Sequence, residues 1–86
     1  MGYGGLSGAS LGQCEPAEKA AAFRERALSA QAKADSLAAM AREANAAGDR
    51  AGAIAASNAA QTAARESLQL HVWARQYDEI AQQKGC

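Results

Sequence analysis

After Pro16 the chain contains no proline, and between Gly12 and Gly85 its only glycines are Gly48 and Gly52. Nothing in that stretch interrupts a helix except the neighbourhood of residue 48. Histidine is almost absent too. His71 stands alone, whereas a zinc site draws on three or four converging ligands. The two cysteines, Cys14 and Cys86, are too far apart in sequence for a Cys-x-x-Cys redox or metal motif. No Glu-x-x-His pair marks a carboxylate-bridged metal centre, and no glycine-rich loop sits between a strand and a helix to cradle phosphate. The acids are scattered without a converging pair. Catalysis, a cofactor and a bound metal are therefore not expected. Charge of either sign is also missing in excess, because nine Lys and Arg balance nine Asp and Glu. The basic residues sit among acids, as in Arg24-Glu25-Arg26 and Arg65-Glu66, which is the pattern of a solvated helix surface. Nucleic-acid binding is disfavoured on that ground. No apolar run approaches the roughly 18 residues of a membrane span, so none is expected. The start of the chain lacks the basic and apolar blocks of a signal peptide.

What the chain has is alanine, 25 residues of 86. Large apolar side chains are few, and alanine contributes only a methyl group. The alanines are not randomly placed. One stripe runs Pro16, Ala20, Phe23, Ala27, Ala30, Ala34, Leu37, Ala41, Ala44, and a second runs Ala53, Ala56, Ala60, Ala63, Ser67, Leu70, Ala74, Tyr77, Ala81. Both alternate steps of three and four, the spacing of one face of a coiled-coil helix. Folding the chain back at Gly48 sets Phe23 opposite Ala74, Ala27 opposite Leu70, Leu37 opposite Ala60 and Ala20 opposite Tyr77. Large then meets small at each of these levels, as an interdigitated core requires. The expected fold is all-α, a long antiparallel helical hairpin built as an alanine-rich coiled coil.

Residues 1–13 hold five of the eight glycines and read as a flexible arm. Residues 14–86 form the hairpin, with one helix over about 15–47, a turn at 48–49 and a second helix over about 50–84. Pro16 suits the first turn, where its missing N–H has no partner. Glu15 and Glu18 complement the positive end of the helix dipole. Gly48 is the expected left-handed stop and Asp49 the N-cap of the second helix.

Two long helices bury one stripe each, which is little core for so small a chain. Self-association into a four-helix bundle is the simplest remedy. Helix two carries apolar residues on more than one face, and such a helix is buried on more than one face. Leu28, Leu68, Val72, Trp73, Tyr77 and Ile80 are therefore the candidate interface, with Trp73 as its anchor. Cys14 and Cys86 fall at the open end of the hairpin, where a disulfide would clasp the two arms.

Three functional readings follow. The first is a non-enzymatic protein–protein interaction or assembly module, a homodimeric hairpin in the cytoplasm, with a protein partner in addition to the second copy. The second is a small nucleic-acid-binding regulator. The architecture resembles that of Rop-like plasmid RNA-binding proteins, although no motif matches. That reading requires Arg24, Arg42, Arg50, Arg65 and Arg75 to gather on one face. The third is a periplasmic or secreted hairpin clasped by Cys14 and Cys86, an inhibitor or an effector. Its length is similar to that of type VII secretion substrates, but their Trp-x-Gly turn is replaced here by Ala-Ala-Gly-Asp. Leu11-Gly12-Gln13-Cys14 is similar to a lipoprotein cleavage box, with a bulky Gln13 where a small residue belongs. The segment 41–56 resembles the inter-helix turn of tetratricopeptide repeats, in helices about twice too long for that family.

Overall fold

A computed structural model describes residues 14–85. The expected arm, residues 1–13, and Cys86 lie outside the described residues. Within them the chain is all-helical. Helix α1 spans Glu15–Ala46 and helix α2 spans Arg50–Gln83, packed side by side as a hairpin.

Local chemistry sets each end. Glu15 and Glu18 lie in the first turn of α1 with Pro16 beside them. The Cys14 carbonyl accepts the first helical bond, from Glu18 N–H at 3.1 Å. At the other end, Ala47 caps α1 and Gly48 follows at φ 82°. Gly48 N–H donates to the Asn45 carbonyl and Asp49 N–H to the Ala44 carbonyl, at 3.1 and 2.8 Å. These are the two bonds of a Schellman motif, which needs a left-handed residue between them. Asp49 then opens α2, its side chain accepting from Gly52 N–H at 2.9 Å. One residue thus closes the first helix through its N–H and starts the second through its carboxylate. Gly85, at φ 81°, marks the end of α2 in the same way, donating to the Gln82 carbonyl at 3.1 Å.

The result is a rod measuring 63 × 24 × 11 Å. Its radius of gyration is 19.0 Å, where a compact domain of this length would have about 11 Å. The buried residues are Ala20, Ala27, Ala34, Ala63, Ala74, Ala81, Leu70 and Ser67. All lie on the two stripes. The other stripe positions, from Pro16 and Phe23 to Tyr77, are half-buried. Only Leu70 among the buried residues is larger than serine, so the seam is lined by methyl groups.

At the open end the side chains do not meet level for level. Phe23 stacks on Tyr77, with ring centroids 5.5 Å apart and 14° between planes, and meets Trp73 at 5.6 Å in a tilted pair. Helical side chains lean towards their own N-terminus. In α1 that is towards the open end, and in α2 towards the turn. Phe23 and Tyr77 therefore lean into each other, although Ala74 lies nearer the level of Phe23. The expected large–small pairing of Phe23 with Ala74 gives way there to an aromatic cluster. The Arg24–Asp78 ion pair between the helices is offset in the same direction.

Candidate interaction surfaces

The methyl seam leaves the large apolar side chains outside. Leu28, Met40, Ile54, Leu68, Trp73 and Ile80 are between 39% and 67% exposed. Val72 and Tyr77 are half-buried. The six expected interface residues do not form one patch. At about 100° per residue, Trp73 and Ile80 project within about 20° of each other, whereas Leu68 and Trp73 point about 140° apart.

The first edge is built around Trp73. Its indole packs on Phe23 and lines a shallow groove with Arg26, Glu66, Gln69 and Leu70. The Arg26 guanidinium lies 5.4 Å from the Phe23 ring centre, and the Lys19 ammonium 5.6 Å from that of Tyr77. Tyr77 is thus used mainly within the hairpin, stacked on Phe23 and covered by Lys19. Lys19 also reaches Glu15 at 3.7 Å.

The second edge carries Leu68 and Val72, which line a groove with Arg24, His71 and Arg75. Leu28 stands one turn beyond Arg24 on the same face of α1. Arg24 is held by a two-pronged contact to Asp78. That hydrogen bond and the Asp78 charge push the Arg24 pKa above its already high ordinary value. His71 is exposed there, beside two arginines.

The five arginines invoked for nucleic-acid binding are not gathered. Arg42 and Arg50 line a depression at the turn together with Ile54. Arg24 and Arg75 belong to the groove near the open end, and Arg24 is already neutralised. Arg65 projects about 120° away from His71 around α2.

Cys14 is disulfide-bonded and is not a free thiol, while Cys86 lies outside the described residues. No group of three or more His, Cys, Asp and Glu side chains that could hold a metal occurs among the described residues. No helix among them is long and apolar enough to cross a membrane.

Sequence reasoning missed two features. The aromatic cluster of Phe23, Trp73 and Tyr77 could have been anticipated from the lean of helical side chains. The division into two edges follows from the 100° step applied to Leu68 and Trp73. No family model, curated protein or solved structure matches this chain.

Proposed function

We propose that this chain is a non-enzymatic protein–protein interaction or assembly module, working as a homodimer in which two hairpins form a four-helix coiled-coil bundle. One observation carries this reading. Phe23, Leu37, Leu70 and Tyr77 are the large apolar side chains on the seam, whereas most of the others lie outside it, and six of those are well exposed. A Leu, Ile or Trp left in water forgoes about 1.5–3 kcal/mol relative to full burial. A second hairpin recovers part of that for both copies and supplies the core that a small chain lacks. We place the module in the cytoplasm, a compartment that the bonded state of Cys14 speaks against. Size-exclusion chromatography with multi-angle light scattering, at micromolar concentration, tests it. A mass of about twice 8.8 kDa supports it, and a monodisperse monomer overturns it.

The bonded state of Cys14 favours a second reading, a hairpin clasped at its open end and placed in an oxidising compartment, periplasmic or secreted. Cys86 is the partner proposed. Such a bridge would close a loop of about 72 residues and stabilise the fold by about 4 kcal/mol on the chain-entropy view. Thiol titration of freshly isolated native protein distinguishes the two. No reactive thiol supports the clasp, and two per chain overturn it.

A further inference from the structure

The edge that carries Trp73 has an ordered pattern that the hairpin alone uses only in part, through the contacts of Trp73 and Arg26 with Phe23 and of Lys19 with Tyr77 and Glu15. Along α1, Lys19, Arg26, Lys33 and Met40 recur every seventh residue, flanking the seam. Along α2, Ala59, Glu66, Trp73 and Ile80 recur at the same interval. The shared groove of Arg26, Glu66 and Trp73 places both rows on one side of the rod. Yet Glu66 makes no ion pair with any of the described residues. The salt bridges among the described residues are Glu15–Lys19 and Arg24–Asp78.

We infer that this edge is the contact surface for a second copy of the chain, with both open ends at the same end, so that α1 of each hairpin lies on α2 of the other. This rests on the homodimer reading above and adds to it a face and an orientation.

The argument is one of charge and shape at each level. A two-fold axis parallel to the rods brings the α1 row of one copy beside the α2 row of its partner at equal height. Lys33 then meets the partner's Glu66, an ion pair of the kind that flanks coiled-coil seams. Arg26 meets the partner's Trp73, a cation–π contact. The aliphatic stem of Lys19 covers the partner's Ile80, and Met40 fills the space over the partner's Ala59. Symmetry repeats the set, as an isologous interface requires. The alternative two-fold axis, across the rods, stacks α1 on α1. It sets the basic row against itself, a repulsive juxtaposition, and parts the two Trp73 side chains by about 20 Å along the rods. The opposite edge offers no equivalent, because Arg24 is already paired with Asp78 in its own chain.

The size is adequate. The three heptads from Ala59 to Ile80 run for about 30 Å along a rod 24 Å wide. That footprint, on the order of 700–800 Å² per partner, is that of a standard stable interface.

Charge reversal tests the proposal on the full-length chain. Two variants are made, Glu66→Lys and the double Arg26→Glu, Lys33→Glu, and helicity is checked by circular dichroism. Dimer dissociation is measured by analytical ultracentrifugation, and mixtures are resolved by native mass spectrometry. Each variant alone brings like charges together and should dissociate at least about tenfold more readily than the wild type. An equimolar mixture should form the heterodimer with wild-type affinity. There the introduced lysine faces the introduced glutamates, and the native Glu66 faces the native Arg26 and Lys33. Contacts within one chain are not repaired by mixing, so recovery reports the contact between copies. Variants as tight as the wild-type dimer overturn the choice of face. Weakened variants that fail to recover on mixing overturn the orientation. A wild-type chain that stays monomeric removes the homodimer reading itself, and this inference with it.

Discussion

Replacing Phe23 by alanine tests whether the open end is held by the aromatic cluster. The Phe23 ring stacks on Tyr77, tilts against Trp73 and lies under the Arg26 guanidinium. It is half-buried, so truncation forfeits about half of the 1.5–3 kcal/mol that full burial of such a side chain brings. Each ring pair adds about 0.5–1.5 kcal/mol beyond burial. The arginine contact is exposed and adds a smaller increment. Phe23→Ala is therefore expected to cost about 2–4 kcal/mol, at or below the 3–5 of a fully enclosed phenylalanine. Phe23→Leu keeps most of the burial and loses only the ring-specific part, about 1–3 kcal/mol for the two ring pairs. Leu28→Ala is the control. Leu28 is mostly exposed, so its truncation should stay within about 0.5 kcal/mol. Urea unfolding followed by circular dichroism measures all three, at one protein concentration, because association adds to apparent stability. If Phe23→Ala costs no more than Leu28→Ala, the rings do not hold the open end, and the lean argued for Phe23 and Tyr77 is wrong.

Other positions follow the same logic. Ser67 is buried and its hydroxyl takes no part in the side-chain hydrogen bonds among the described residues, so Ser67→Ala should be neutral or stabilise by about 1 kcal/mol in the same urea titration. A Cβ on Gly48 would meet nothing within 4 Å, yet the residue sits at φ 82°. Gly48→Ala should therefore cost about 1–2 kcal/mol through backbone strain alone, with Gly48→Asn costing less in thermal melts. Asp49→Ala removes the cap on Gly52 N–H and should cost about 1 kcal/mol, whereas Asp49→Ser should recover most of it. Ala27→Leu forces a large side chain into a fully buried methyl position and should destabilise by about 1–3 kcal/mol, readable in the urea midpoint.

Much of the fold is legible in the sequence because the seam is written in residue size. Ala20, Ala27 and Ala34 recur every seven residues, and only one face of a helix repeats in that way. Gly48 and Asp49 are readable for a similar reason, since one needs no Cβ and the other supplies a carboxylate at an N-cap. The Phe23–Tyr77 stack is less legible. Spacing fixes heights and angles along each helix, but the meeting point of two long side chains depends on the direction of their Cα–Cβ bonds. Leu68 and Trp73 illustrate a second limit. Both are apolar and off the seam, and composition alone merges them. Only the helical step separates them onto two edges with different charged neighbours. The bonded state of Cys14 was not legible at all, because two cysteines at the ends of a hairpin fit bridged and free thiols equally.

The two halves of the picture have one cause. A seam made mostly of alanine, with Ser67 and a few larger residues such as Leu70, leaves little room between the two rods. The larger side chains are then displaced to the flanks, where a single hairpin cannot cover them. A seam with leucine at most positions would have formed a thicker core and left flanks of charge alone. Here the flank of α1 alternates no charges and instead repeats base at Lys19, Arg26 and Lys33, while the flank of α2 answers with Glu66, Trp73 and Ile80. A solitary rod uses only part of that correspondence, since Trp73 and Arg26 lie on Phe23 while Glu66 forms no ion pair among the described residues. The proposed dimer gives the rest of it a use, because it lays the α1 flank of one hairpin on the α2 flank of another.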